Sequence, residues 1–519
     1  MQFGFVIDHS RCIGCHACTV ACKAENDVPV GSFRTWVKYT ETGAFPSVKR
    51  HFAVLRCNQC TAAPCVTICP VTALDKRPDG IVDVDPDRCI GCKSCMQACP
   101  YDALYINEDL GTAQKCHFCA HRTERGMAPA CAIVCPTEAI IPGDFDDPTS
   151  RVAKLKAAGA LEFRKTEAGT GPNVGYVEAD PSTLDPGLTN LSGGFLWSNQ
   201  VPGLTLDAET WRSAFDEAAA RTTYDVQHPM HWGWKVWTYL FTKSIAAGVA
   251  LALAVLLPFA HFESITNRAA GLLGLVGLAA LGITAALLVA DLKRPERFLT
   301  ILLRPQWNSW LTRGAVLLTL YGAALAACTA RWLLAPAGGT LVASTEVLWL
   351  VPTAVFGALA AVYTAWLFGQ CKARVLWMKR GLALHLLAQA FLAGAATILV
   401  LAPLLDLVGV TLGEYVVFGL RVTALASLIA HMALMAHEPH AAPAGRRAEY
   451  ARTIALVLHG PYANERRWMG IRVGVALAAA FLLLPGGPWL WALGGLAALV
   501  GLFTEERLLV RAGQTLPIH

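Results

Sequence analysis

Sixteen of the chain's 18 cysteines lie between Cys12 and Cys135, in four groups of four. Group one is Cys12, Cys15, Cys18 and Cys22, and group two is Cys57, Cys60, Cys65 and Cys69. Group three is Cys89, Cys92, Cys95 and Cys99, and group four is Cys116, Cys119, Cys131 and Cys135. Groups one and three read C-x2-C-x2-C-x3-C, a spacing in which three thiolates wrap one face of a cubane [4Fe-4S] cluster while the fourth reaches a neighbouring one. Groups two and four carry the same motif with longer insertions. Pro70, Pro100 and Pro136 follow the last cysteine of three groups, and Lys23 follows that of group one. Under the swap rule the groups pair, and sixteen thiolates imply four [4Fe-4S] clusters with these sixteen cysteines as iron ligands. Disulfides would need an oxidising compartment, and zinc closes on two CxxC pairs without a third cysteine at the same short spacing. Four repeats favour iron–sulfur ligation, with zinc the alternative.

A second set of chemistry-bearing side chains lies in apolar sequence. Beyond His228 eight stretches are long enough, or nearly so, to cross a bilayer as helices of about 20 residues. They run near Trp232–Phe259, Gly271–Ala290, Ala315–Leu334, Val347–Phe368, Leu382–Leu404, Tyr415–Met435, Met469–Leu484 and Trp489–Phe503. An ionisable group inside such a span is a functional candidate, because it is costly when unpaired. Lys243 lies mid-span with Tyr239 one turn earlier, Asp291 ends the second span, and Lys293, Arg294, Glu296 and Arg297 follow it. His385 and Gln389 are one turn apart in the fifth span, and Arg421 and His431 lie in the sixth. A quinone headgroup needs a hydrogen-bond partner at each carbonyl and a proton carrier, and histidine supplies both. His385 with Gln389, Tyr239 and Asp291 are therefore the quinone and proton candidates, with Lys243 and Arg294 beside them. For Lys243 and Arg421 an ion pair that only fixes packing is the alternative. Tyr239 can equally be core, and Trp232, Trp234 and Trp237 suit an interfacial belt.

Composition sets the frame that must position these groups. Of 519 residues 54% are hydrophobic and 16% charged, too apolar for a soluble enzyme of this size. The net charge of +5 is no argument for nucleic acid. Phe3–Asp8 and Ile81–Asp85 alternate as short strands leading into cysteine groups one and three. An amphipathic stretch spans Ser150–Leu161, Asp180–Gly203 reads as linker, and Asp207–Arg221 as a short helix. Three regions follow: residues 1–178 with the clusters, 179–228 as linker with a short helix, and 229–519 in the membrane.

An even number of spans returns the C-terminus to the side of the cluster domain. Seventeen Lys and Arg fall in the loops of that side, from Lys293 to Arg511, against Arg268 and Arg331 opposite. The positive-inside rule then puts the cluster domain and both termini in the cytoplasm of a multi-pass protein of the bacterial inner membrane, where thiols stay reduced. No secretory or twin-arginine leader is expected, since the sequence reaches Cys12 within its opening MQFGFVIDHSRC.

Residues 1 to about 178 resemble the four-cluster electron-transfer subunit of the complex iron-sulfur molybdoenzymes, the dimethyl sulfoxide reductase and polysulfide reductase group. The resemblance implies an α+β ferredoxin-like domain in which group one pairs with group four and group two with group three. It implies one cluster on Cys12, Cys15, Cys18 and Cys135, one on Cys22, Cys116, Cys119 and Cys131, one on Cys57, Cys60, Cys65 and Cys99, and one on Cys69, Cys89, Cys92 and Cys95. From about His228 the sequence resembles the polysulfide-reductase-type, NrfD-like membrane subunit. HWGWKVWTYLFTKSIAAG from His231 and DLKRPERFLTILLRPQWNSWLTRG from Asp291 carry that likeness. It implies an all-α domain of about eight transmembrane helices that binds quinone, ubiquinone or menaquinone, and no haem. Together they imply a membrane anchor passing electrons between quinone and a separate molybdopterin-type catalytic subunit. The alternatives are a [NiFe] hydrogenase as partner, or a passive anchor or proton-translocating module without quinone turnover.

Overall fold

The computed structural model describes residues 1–43, 46–190, 220–226, 229–336 and 338–518. Its N-terminal part is built from short strands and shorter helices that lead into and out of the cysteines. Phe3–Asp8 is one of the two inner strands of a four-stranded sheet, antiparallel to Ile140–Asp144 and parallel to Val174–Val177, which pairs in turn with Glu162–Phe163. Phe5, Val6 and Ile7 are fully buried, so both faces of this strand are covered. Thr35–Thr42 and Lys49–Arg56 form the long hairpin of a second sheet. The strand expected at Ile81–Asp85 is Val82–Val84, paired with Leu74–Lys76, and a further hairpin joins Leu104–Asn107 to Thr112–Lys115. Ser150 caps the amphipathic helix Arg151–Ala157, its hydroxyl accepting from the Ala153 amide at 3.1 Å.

The cysteine loops need backbone that ordinary residues resist. Gly14 and Gly91, the glycines of the two CIGC sequences, have φ of 69° and 67°. A side chain at Gly91 would strike Lys293 at 2.5 Å, so this glycine also lets the membrane half approach.

The segment read as linker is ordered at its described ends. Asp180 caps Pro181–Leu184, and Thr189–Asn190 pairs with Ala220–Tyr224, which extends the second sheet beside Thr35–Thr42. Of the helix expected at Asp207–Arg221, residues 207–219 lie outside the described residues, while Ala220 and Arg221 open a strand.

Six helices among the described residues are long and apolar enough to cross a membrane: Trp234–Leu256, Asn267–Ala290, Trp310–Leu334, Ala343–Gln370, Leu382–Leu407 and a sixth beginning at Glu414. Eight were expected. The last two expected segments do form helices, as a π-helical stretch Arg466–Leu477 running into Ala478–Leu483, then Pro488–Gly513. The first of these opens on Arg466, Arg467 and Arg472 and leaves only a short apolar remainder, whereas the second ends in Glu505, Glu506, Arg507 and Arg511. The pair still runs the depth of the bundle and back. Gly495 packs on Ala396 and Val400 of the fifth span, and Gly513 reaches Trp377 beside the cluster domain.

The two halves interlock through backbone. Lys293 and Arg294 donate their amides to the carbonyls of Gly91 and Ile90 at 3.3 and 3.2 Å. Gln306 donates to Pro70 O at 3.2 Å and Ala373 to Gln97 O at 3.2 Å, while the Ser309 hydroxyl donates to Ile68 O at 2.6 Å. The cysteine loops of groups two and three are therefore the floor on which the membrane bundle stands.

Candidate functional site

The structure gathers cysteines across groups rather than within them. Cys12, Cys15, Cys18 and Cys135 line one cavity, and Cys22, Cys116, Cys119 and Cys131 line another. Cys60 and Cys65 face Cys57 and Cys99, whereas Cys92 and Cys95 face Cys69 and Cys89. Each set thus combines three cysteines from one group with one from its partner group. No disulfide joins any of the 18 cysteines. Among the described residues no three His, Cys, Asp or Glu side chains converge tightly enough for a single metal ion.

The electrostatics of the sets fit iron–sulfur clusters. Burial and neighbouring thiols push Cys18 up to about 11 and Cys92 and Cys99 up to about 12, so thiolate sets of this kind persist only around a cationic metal centre. Backbone amides point at the sulfurs: Ala73 N to Cys69 at 3.2 Å, Ala113 N to Cys89 at 3.4 Å and Ala139 N to Cys135 at 3.2 Å. Arg56, 1% exposed, donates from Nη1 to the Cys131 sulfur at 3.2 Å and leaves Nε and Nη2 without partners among the described residues. Such orphaned donors match an anionic cluster alongside.

The membrane candidates separate into three places. His385 and Gln389 line a small cavity of about 20 Å3 together with Lys379, Glu438, Glu505 and Leu376. His385 Nε2 lies 2.9 Å from His431 Nδ1, and Lys379 Nζ lies 3.4 Å from His385 Nδ1. Glu438 holds Lys379 at 2.6 Å and Arg466 at 3.0 Å, both ion pairs being buried. Lys243 and Tyr239 are buried deeper in the first span. Lys243 donates to Ala361 O at 2.8 Å and to the Thr364 hydroxyl, and its field reaches Glu506, whose two carboxylate oxygens are buried without partners among the described residues. Asp291 and Arg294 line neither place, although the Asp291 charge reaches Tyr239. Asp291 pairs with Lys93 of the cluster domain at 2.9 Å, and Arg294 donates to Pro86 O at 3.2 Å, so both belong to the docking surface. Arg421 is remote as well, bonded to Leu482 O at 2.6 Å and stacked over Trp491.

Sequence reasoning missed Lys379, Glu438, Glu505 and Glu506. Adjacent acids at the end of an apolar run were a readable signal for the last pair. Glu438 carries none, because it is defined by partners 59 and 28 positions away.

One short segment ties the cavity to the clusters. Leu376 lines it, and two residues earlier Arg374 donates to the Gln97 side chain at 2.7 Å, between Cys95 and Cys99. Trp377 stacks on Trp232 with ring centres 5.3 Å apart, and Trp232 Nε1 donates to Cys92 O at 3.5 Å.

With this geometry in place, the likenesses to known proteins can be set against it. Residues 48–145 match the family described as 4Fe-4S dicluster domain, and residues 223–517, more than half the chain, match the family described as Polysulphide reductase, NrfD. The B subunit of tetrathionate reductase from Salmonella typhimurium is 45% identical over 200 residues, which cover 38% of this chain and 80% of that protein. The iron-sulfur B subunit of a putative dimethyl sulfoxide reductase from Halobacterium salinarum is 39% identical over 215 residues, 36% of this chain and 82% of that protein. The B component of polysulfide reductase from Wolinella succinogenes is 38% identical over 179 residues, 34% of this chain and 94% of that protein.

Proposed function

This protein belongs to the polysulphide reductase, NrfD, family, and from that premise we propose that it carries electrons between a membrane quinone pool and a separate molybdopterin oxidoreductase subunit through four [4Fe-4S] clusters. It is an iron–sulfur electron-transfer subunit fused to a NrfD membrane subunit, and its relatives are reductase B subunits. The single observation that carries the quinone reading is the His385 cavity, joined through Leu376, Trp377 and Arg374 to the loop between Cys92 and Cys99.

The bound clusters supply one-electron transfer along the domain. The chain's own residues do the rest. The sixteen cysteines hold the clusters in the swapped sets, so that the set on Cys69, Cys89, Cys92 and Cys95 abuts the membrane bundle. His385 orients the quinone headgroup and takes or gives its proton, with Gln389 as the second hydrogen-bond partner. Lys379 and Glu438 continue that hydrogen-bonded series from Nδ1 of the ring, and His431 meets Nε2 on the other side. That side is cytoplasmic in this reading, in the inner membrane of a bacterium, on the strength of its seventeen basic loop residues. At the far end Cys15 is exposed, beside the exposed Ile13, Val20 and Ile133, which supports docking of the catalytic subunit there. Tetrathionate, dimethyl sulfoxide, thiosulfate and polysulfide among the relatives' names favour a sulfur compound as that partner's substrate, beside selenate and arsenate in others.

Reduction of the clusters by an added quinol, followed by absorbance and EPR in the detergent-solubilised chain, tests the reading. His385→Leu is expected to lower that rate at least a hundredfold while dithionite still reduces the clusters fully. Retention of the quinol rate in His385→Leu and in Gln389→Leu alike would move the quinone to the Tyr239 and Lys243 region.

A further inference from the structure

Two cations are buried among the cysteine sets. Arg56 and Lys115 are 1% and 2% exposed, and each is the last residue of a strand, immediately before the first cysteine of a group. Among the described residues their polar contacts are with sulfur and backbone carbonyls and none is a salt bridge with a carboxylate. Lys115 spends its ammonium on the carbonyls of Val82 and Cys116, the latter at 2.8 Å. Its foremost electrostatic neighbours are the Cys57, Cys116 and Cys65 sulfurs, with the Asp83 carboxylate a weaker one. Arg56 lies over the Phe5 ring at 4.3 Å, bonds Cys131, and faces the Cys116 and Cys18 sulfurs. A buried unpaired cation is costly, so the anion each one answers is cluster sulfur.

Their positions are not equivalent to generic charge balance. Arg56 stands between the set on Cys12, Cys15, Cys18 and Cys135 and the set on Cys22, Cys116, Cys119 and Cys131. Lys115 stands between that second set and the one on Cys57, Cys60, Cys65 and Cys99. The Cys22, Cys116, Cys119 and Cys131 set is therefore flanked by clusters on both sides and by a buried cation at each junction. Each reduced neighbour adds negative charge in a low-dielectric interior, which drives an interior cluster towards potentials too low to accept an electron.

We propose that Arg56 and Lys115 are positioning residues for electron transfer that hold the reduction potential of the cluster on Cys22, Cys116, Cys119 and Cys131 up, within reach of its two neighbours. The inference rests on the four-cluster reading above. It goes beyond that reading in assigning two non-ligand side chains to one relay step.

EPR-monitored redox titration of the purified full chain tests it, with the relevant signal identified as the one altered by Cys119→Ser. In Arg56→Gln and in Lys115→Gln the midpoint of that cluster is expected to fall by at least the equivalent of a tenfold change in its reduced-to-oxidised ratio, 59 mV for one electron. Arg56→Lys, which keeps the charge, is expected to stay within that margin. Unchanged midpoints in both Gln variants, or a larger shift at another cluster, would overturn the proposal. So would loss of that cluster from both Gln variants with its retention in Arg56→Lys and Lys115→Arg, since the cations would then serve assembly and not potential. If only one Gln variant loses the cluster, the other decides. Failure of the underlying reading looks different: the unaltered chain would hold fewer than four reducible centres.

Discussion

Cys22 shows how a single residue can belong to a distant site. It sits four positions from Cys18 but lines the cavity of Cys116, Cys119 and Cys131. Cys22→Ala is therefore expected to remove or convert one cluster, with a loss of up to about four of some sixteen irons, while the EPR signal of the set on Cys12, Cys15, Cys18 and Cys135 persists. Iron analysis beside low-temperature EPR reads both. His9 carries a pH prediction. Its ring lies edge-on to Tyr176 with neither nitrogen partnered among the described residues, and burial pushes it down to about 4. As pH falls through 6.5 the denatured chain takes up a proton that the native ring refuses until about 4. Stability of the N-terminal half is then lost across that window, on the order of 3 kcal/mol, and is unaffected above it. His9→Phe is expected to flatten the slope of midpoint denaturant concentration against pH between those limits.

At the scale of elements, function depends on close approach. The first and fifth spans cross at Gly248 and Gly394, where a side chain on either would land on the backbone of the other. Glycine permits that approach, and helix contact in a membrane is driven by such packing. Gly394→Leu is expected to destabilise the bundle by about 3 kcal/mol or more and to tilt the His385 face, seen as a lower thermal midpoint in detergent. The loop after the second span is the other sensitive element. Its Asp291 holds Lys93, two residues before Cys95, and its next residues hydrogen-bond the group-three loop. Asp291→Asn is expected to raise amide hydrogen exchange at Lys293 and Arg294 roughly tenfold while leaving the clusters intact.

The whole molecule is a cluster domain whose apolar core, including Phe5, Ile68, Ile81 and Phe118, is continuous with that of the bundle at Trp232, Phe368 and Trp377. Most of the sixteen cysteines are themselves buried within this shared core. Iron removal by a chelator under reducing conditions is accordingly expected to unfold residues 1–178, read by far-UV circular dichroism and proteolysis, while the spans stay protected. Orientation belongs to this scale too. The start of the first span and the C-terminal end meet on one side, since Gln514 donates to the Trp232 carbonyl at 2.9 Å and pairs with Gln97 of the cluster domain at 2.8 Å. A cytoplasm-active reporter fused after His519 is expected to be active, and activity of a periplasm-only reporter there would reverse the proposed topology.

Ligand type, the repeat of four, the membrane half and the even return of the chain were legible in residue order, because thiolate spacing, apolar length and loop charge are local properties. Helix number was legible only in part: the last two segments mix short apolar runs with charge, and their place in the bundle depends on Gly495 meeting the fifth span. The quinone candidates were legible as residue types but not as a site. His385 and Gln389 share a helix face and stay together, whereas Asp291 and Arg294, equally polar and equally near a span end, are drawn away by Lys93 and Pro86 of the other half. Glu438, Arg56 and Lys115 acquire their meaning from partners far along the chain. Burial creates that meaning: a charge that would be one of many in water must, once desolvated, answer a particular neighbour, and only the tertiary structure decides which neighbour that is.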